Sequence, residues 1–262
     1  MEPKRARVIA VANEKGGVGK TVTVINLGAA LANQNKSVLI VDMDPQAAAT
    51  RGLNVDVPEK NPTVYDMLLD PAAFPGRNVV VKTDYPGIEI IPSVADLAGA
   101  EVELVAEEGR ENRLKESLEA VTNGYDFVLV DTPPSLSLLT VNVFAFADEL
   151  LVPCQTHPYA YAALDELFDT VEAVVEGINP KLNITGILAT FFDRRTRVCR
   201  QILEQLKTDE KTRDLLLKTV IRANTTVAES AYVKKPVVNY RKSSNGARDY
   251  MKLASELVSI RK

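Results

Sequence analysis

Seven residues near the start, Lys15-Gly16-Gly17-Val18-Gly19-Lys20-Thr21, restrict this chain more than any other stretch. An apolar run over 7–13 reads as a strand just before them, and 21–32 has the composition of a helix ended by Asn33–Asn35. A strand, a glycine loop and a helix in that order turn backbone N–H groups towards an anion: the glycines let the chain curl, and the helix adds its positive N-terminus. Lys20 is then placed to reach the β- and γ-phosphates of a nucleotide, and Thr21 to offer its hydroxyl to Mg²⁺. The common form of the motif begins with glycine where this chain has Glu14, and it does not require Lys15, which brings a second positive charge beside the phosphates.

The rest of the chain repeats the same alternation. Candidate strands follow at 37–41, 88–91, 126–130, 149–152, 184–190, 216–221 and 236–238, and helical periodicity is clearest over 110–122, 164–176, 198–207 and 246–260. Val128-Leu129-Val130 is apolar without alternation, as in a strand covered on both faces. The expected fold class is α/β, a single doubly wound, mostly parallel sheet flanked by helices, in one domain over residues 1–262. The proline-rich stretch 55–87 is expected to form loops and short helices over one rim.

Composition removes several function classes. Cys154 and Cys199 lie far apart with no Cys or His at ligand spacing, which argues against a disulfide framework, a zinc site or an iron–sulfur site. The apolar run Val8 to Ala12 is too short for a signal-peptide core or a membrane span, so a cytoplasmic location is expected. The net charge of −4 hides a split: residues 193–262 carry 17 Lys/Arg against 8 Asp/Glu, so the first 192 residues are strongly acidic and a basic surface lies at one end. His157, the only histidine, reads as a surface or packing residue.

Two strands end in carboxylates. Val38-Leu39-Ile40-Val41 runs into Asp42-Met43-Asp44, and Phe127-Val128-Leu129-Val130 runs into Asp131. In an open parallel sheet that edge is where ligands sit, and acids ending buried strands cost desolvation that a site would repay.

With Ala12-Asn13-Glu14 ahead of it, the loop resembles the deviant Walker A motif of the ATPase superfamily that holds ParA, MinD, the nitrogenase iron protein and the arsenical-pump ATPase, and similarity to ParA/Soj partition ATPases runs through nearly the whole chain. It includes Pro92-Ser93-Val94-Ala95-Asp96-Leu97, Asp131-Thr132-Pro133-Pro134, Val152-Pro153-Cys154-Gln155 and Ala228-Glu229-Ser230. The resemblance implies a slow, partner-stimulated, Mg²⁺-dependent ATP hydrolase that cycles between ATP-bound homodimers and monomers. It implies that Lys15 contacts the partner subunit's nucleotide and that Asp44 orients the attacking water. Asp42 supports Mg²⁺ and its waters, and Asp131 is the Walker B carboxylate. Cofactor contacts fall on Lys15, Gly16, Gly17, Val18, Gly19, Lys20, Thr21 and Val22, with Arg222 and Asn224 against the adenine. Glu14 stands where glutamine is usual, Val22 where threonine is, and Ala47-Ala48 where Gly-Asn is more frequent.

Phe192-Asp193-Arg194-Arg195-Thr196-Arg197 is similar to the Soj segment whose arginine holds non-specific double-stranded DNA, with Arg195 in the matching place and Arg194, Arg197 and Arg200 beside it. Guanidinium groups at a helix start can pair with backbone phosphates without reading bases. The implied partners are a second copy, DNA and a ParB/Spo0J-like centromere-binding protein, and the implied place is the nucleoid, with no membrane. The alternatives are a MinD-like or cargo-positioning ATPase and a P-loop biosynthetic enzyme. The stripe Tyr250, Met251, Ala254, Leu257, Val258 speaks for a last helix docked on the core rather than on lipid.

Overall fold

The computed structural model describes residues 5–260. Strands β1 (Arg7–Val11), β2 (Val38–Asp42), β3 (Val81–Lys82), β4 (Ile88–Ile91), β5 (Phe127–Asp131), β6 (Glu149–Gln155), β7 (Asn183–Phe192) and β8 (Leu216–Arg222) form one sheet in the order β3-β4-β2-β5-β1-β6-β7-β8. All neighbours are parallel except β3, which runs antiparallel to β4. The helices are α1 (Lys20–Ala32), α2 (Ala48–Gly52), α3 (Val64–Leu69), α4 (Leu97–Glu103), α5 (Arg113–Leu118), α6 (Leu138–Phe146), α7 (Pro158–Ala162), α8 (Leu164–Gly177), α9 (Arg197–Thr208), α10 (Thr225–Tyr232), α11 (Val237–Tyr240) and α12 (Asn245–Ser259). The expected doubly wound sheet is present.

Strand periodicity sorts the core into two layers. Val8, Ala10, Leu39, Val41, Val128, Val130, Leu150 and Val152 face one layer with Leu139, Val143 and Phe144 of α6 and Leu167 of α8. Ile9, Val11, Val38, Ile40, Leu129 and Leu151 face the other, against Val24, Leu27 and Leu31 of α1 and Tyr250, Leu253 and Leu257 of α12. Because successive residues point to opposite faces and both are covered, every position must be apolar, which is why the strands read as unbroken runs.

Both sheet edges are blunted. β3 is only two residues long. On β8, Glu256 of α12 accepts from the backbone N–H groups of Lys218 (2.7 Å) and Thr219 (2.9 Å), and Asp249 accepts from that of Arg222 (3.1 Å). The stripe on α12 docks as expected, with Tyr250, Ala254 and Leu257 buried.

Two expectations are overturned. Residues 236–238 are not a strand: Pro236 precedes the short helix α11, and Val237 and Val238 are buried against α1 and α12. Two apolar residues after a proline suit a first helical turn as well as a strand, and the N–H of Val237 donates to Asn26 Oδ1 at 2.6 Å rather than to a strand. Residues 110–122 do not form one helix. Asn142 of α6 donates to the Arg110 carbonyl (2.9 Å) and accepts from the Leu114 N–H (3.2 Å), so α5 starts only at Arg113, and 3₁₀ turns flank it at Arg110–Asn112 and Thr122–Gly124. Within 55–87 the helix α3 carries a capping box, Thr63 with Asp66. Arg261 and Lys262, counted in the basic third, and Lys4 lie outside the described residues.

Gly186 on β7 sets how closely the sheet approaches Leu217. A Cβ there would stand 2.5 Å from Leu217 Cδ2 and 2.7 Å from its Cγ. Gly186→Ala is expected to destabilise by about 1–3 kcal/mol through overpacking, measured by denaturant unfolding. An unchanged midpoint would show that Leu217 can move aside.

Candidate nucleotide-binding site

The site lies at the carboxyl edge of the sheet, where the chain leaves β1 and later strands add on both sides of it, the position at which doubly wound sheets bind ligands. The glycine loop fills the gap between β1 and α1. Gly17 (φ +76°) and Gly19 (φ +95°) are left-handed, a conformation open to glycine at little strain. Side chains under the loop hold its curl. Asn13 donates to the Pro153 carbonyl at 2.9 Å and accepts from the Lys15 N–H at 2.9 Å, and the Thr190 hydroxyl donates to the Val18 carbonyl at 2.8 Å.

The two lysines behave differently. Lys20 is buried, and its ammonium donates to the carbonyls of Asn13 (2.8 Å) and Lys15 (3.2 Å). Burial lowers its pKa, and the neighbouring Asp131 and Asp44 act against that. Lys15 is exposed at the rim, and among the described residues its ammonium makes no ion pair.

Sheet register brings the acids together. Val11, Asp131 and Asp42 lie in one row across β1, β5 and β2. Asp42 is fully buried and saturated: Thr50 donates to it through its N–H (2.8 Å) and hydroxyl (2.7 Å), and the Asp44 N–H donates at 3.2 Å. Burial nevertheless raises its pKa to about 6. Asp44 accepts from the Gln46 N–H at 2.8 Å, and its carbonyl accepts from the Ser93 hydroxyl at 2.8 Å. Asp131 differs from both. It is fully buried and neither carboxylate oxygen has a hydrogen bond of normal geometry. Burial and then Asp42 drive its pKa well up, with Thr21 and Lys20 favouring the charged form. Two unsatisfied carboxylate oxygens next to a threonine hydroxyl are hard donors of the kind Mg²⁺ takes. Among the described residues no group of three Asp, Glu, His or Cys could hold a metal.

Arg222 and Asn224 line a cavity of about 220 Å³ that opens beside Gly19 and Val22, with Phe191, Ala223, Val227 and Tyr250. The Arg222 guanidinium is taken by Asp249 (2.9 and 2.6 Å), and Asn224 caps α10 by accepting from the Thr226 N–H at 2.8 Å. The four arginines Arg194, Arg195, Arg197 and Arg200 are exposed around the start of α9, at the end of the strand that carries Thr190. Arg195 pairs with Asp193 at 2.8 Å, and Arg200 donates to the Arg194 carbonyl at 3.1 Å. His157 is exposed beside the Tyr159 ring.

Sequence reasoning missed Thr50, Ser93, Thr190 and Phe191. Thr50 lies on a five-residue helix with no periodicity to read, Ser93 and Thr190 hold the site through bonds that only the packed fold brings about, and Phe191 enters only as a wall of the cavity.

A two-lysine glycine loop on this sheet, facing carboxylates at the ends of β2 and β5, defines a P-loop ATPase of the deviant Walker A class. A family model described as an AAA domain matches residues 6–184. The sporulation initiation inhibitor protein Soj of Bacillus subtilis is 42% identical over 253 residues, covering 97% of this chain and 98% of Soj. The chromosome partitioning protein ParA of Caulobacter vibrioides is 41% identical over 261 residues, covering 99% and 96%. The chain belongs to the ParA/Soj family. Among solved structures, a Mycobacterium smegmatis protein described as cobyrinic acid a,c-diamide synthase, with bound ATP analogue and magnesium, matches at TM-score 0.81 and 36% identity over 98% of both chains. The septum site-determining protein MinD of Pyrococcus horikoshii with Mg-ADP shares the fold (TM-score 0.78, 23% identity, 97% of both chains).

Glu14 gives the loop a pH dependence of its own. Burial, then the neighbouring Glu166, raises its carboxyl from 4.5 to about 7. The folded state therefore holds this proton more tightly than the unfolded chain, so stability is fully present below 4.5 and falls as pH rises towards 7. Glu14→Gln is expected to remove this contribution, narrowing the difference between melting temperatures at pH 5 and pH 8. An unaltered difference would rule out titration of Glu14 in that range.

Proposed function

We propose that this chain is a Mg²⁺-dependent ATPase whose nucleotide state switches it between monomer and homodimer, and that the dimer binds DNA without sequence preference to drive chromosome or plasmid partition. The observation that carries the reading is the division of labour between the lysines. Lys20 is folded into its own loop, whereas Lys15 is exposed and its ammonium makes no ion pair among the described residues. An outward lysine beside the phosphates suits a nucleotide shared with a second subunit. Residues 1–262 work as one ATPase unit in this reading.

The loop N–H groups, with Gly16, Gly17, Val18 and Gly19, cradle the phosphates, and Val22 gives its N–H to the α-phosphate. The Thr21 hydroxyl and Asp131 would hold Mg²⁺, which when bound would neutralise phosphate charge. Asp42, with both oxygens engaged by Thr50 and Asp44, acts as a positioning group for the ion's waters rather than a direct ligand. Asp44 orients the attacking water, and Arg222 and Asn224 form the adenine side. A ParB-like partner stimulates hydrolysis.

Two rivals are weakened by particular residues. A lipid-inserting last helix, as in a MinD-like reading, is opposed by α12, whose apolar stripe is used up in the core; among the described residues no helix is long and apolar enough to cross a membrane. A glutamine-using synthetase needs a reactive thiol, and Cys154 is buried with its thiol pushed up to about 12 by burial, which leaves only the half-buried Cys199 on α9.

Lys20→Ala is expected to abolish ATP binding. Lys15→Ala should keep appreciable binding but lose the ATP-dependent dimer and turnover, and Asp44→Ala should accumulate the dimer. Nucleotide titration with sedimentation velocity checks all three, and equal affinity losses in both lysine variants, with dimerisation intact in Lys15→Ala, would defeat the assignment.

DNA affinity should require ATP and fall steeply with salt, with a log–log slope of about −0.9 per phosphate contact. Arg195→Ala should weaken binding to unrelated duplexes alike and flatten the slope while leaving dimerisation intact. Salt-independent binding, or a strong preference for one duplex, would count against a non-specific clamp on Arg194, Arg195, Arg197 and Arg200.

A further inference from the structure

The end of β7 carries a residue with no part yet in the chemistry. Phe191 has φ +53°, a left-handed conformation that bulky side chains avoid and that persists where surroundings over-determine it. Its neighbours are fixed. The Thr190 carbonyl accepts from the Thr156 N–H at 3.0 Å while the Thr190 hydroxyl holds Val18, and the Phe192 carbonyl accepts from the Ala223 N–H at 3.0 Å. The twist between them turns the ring out of the core, where it is 42% exposed, and sets its Cε2 3.3 Å from where a Cβ on Gly19 would be. A large apolar ring is thus held, at a cost in strain and exposure, over the last glycine of the phosphate loop.

The ring is also one wall of the 220 Å³ cavity beside that loop. The other walls are mostly Val22, Ala223, Val227 and Ala228, and the nearest charged group, Arg222, has its guanidinium occupied by Asp249. Such a slot suits a flat, weakly polar heterocycle gripped by its face rather than read by charged donors. We infer that Phe191 is the stacking platform for the base of the bound nucleotide, and that it favours purines over pyrimidines by the larger face they offer. The inference rests on the nucleotide-binding reading above and adds to it the residue that holds the base. Since stacking on an aromatic side chain is sequence-tolerant and substantial, removing the ring should be read mainly in base-bearing ligands.

Calorimetry with Mg-ATP, Mg-CTP and inorganic tripolyphosphate on wild type, Phe191→Ala, Phe191→Gly and Phe191→Tyr tests this. Glycine tolerates the left-handed backbone, so Phe191→Gly separates loss of the ring from backbone strain. The expected result is a roughly tenfold loss of ATP affinity in the Ala and Gly variants, a narrowed ATP-to-CTP ratio, unchanged tripolyphosphate binding and retention in Phe191→Tyr. Full ATP affinity without the ring would overturn the inference. An equal loss for tripolyphosphate would also overturn it, by showing that the ring merely props the loop at Gly19. Failure of the wild type to bind ATP at all would remove the nucleotide reading along with it.

Discussion

One buried ammonium group organises the molecule. Lys20 lies inside the fold near Asp131 and Asp44, while its own bonds go to loop carbonyls. A lone buried cation or carboxylate would be driven to its neutral form, so each charge here depends on the others being held close. That closeness is a matter of strand register. The Val11, Asp131 and Asp42 row exists because β1, β5 and β2 are aligned, and slipping β2 by one residue would turn Asp42 to the opposite face of the sheet. The apolar runs that fill both layers fix the register and so fix the charges.

The carboxylates share this constraint unequally. Asp42 is satisfied three times over and serves as a strut between β2 and α2, whereas Asp131 keeps two unsatisfied oxygens in the interior. An orphaned buried carboxylate lowers stability unless a ligand completes it, and such a group at a strand end marks where the fold gives up stability for binding. Part of the backbone strain falls on the same map. Ala47, three residues after Asp44, has φ +49°, and Phe191 has φ +53° across the loop. Of the five non-glycine left-handed residues among those described, these two flank the phosphate site, in keeping with strain collecting where a site must be held in shape, whereas Asn35, Asn54 and Lys234 lie in turns elsewhere.

Much of this was legible in the sequence because it is local. The loop, Lys20 and Thr21 are contiguous, and Asp42 and Asp131 each end an apolar run, so spacing and strand context suffice to read them. The α12 stripe was legible for the same reason, as one face of one helix. What escaped depends on contacts between distant segments. Asn142 cuts short a helix that its own periodicity would extend, and Asn26 takes the N–H of Val237 in what looked like a strand. Thr50 and Thr190 acquire their roles only once β2 meets α2 and β7 meets the loop. The twist at Phe191 has no sequence signal, because a left-handed phenylalanine is set by the bonds on either side of it.

The carboxylates of α12 that accept from β8 also govern what this protein does in company. A bare strand edge offers a row of donors and acceptors to any passing chain, and a protein that gathers at high local concentration is the kind most exposed to that hazard. Here Glu256 and Asp249 already occupy outward N–H groups of β8, and the opposite border is a two-residue strand too short to template another. Sideways growth of the sheet into fibres is therefore discouraged at both ends. Crowded copies are left to meet through side chains rather than by extending the sheet.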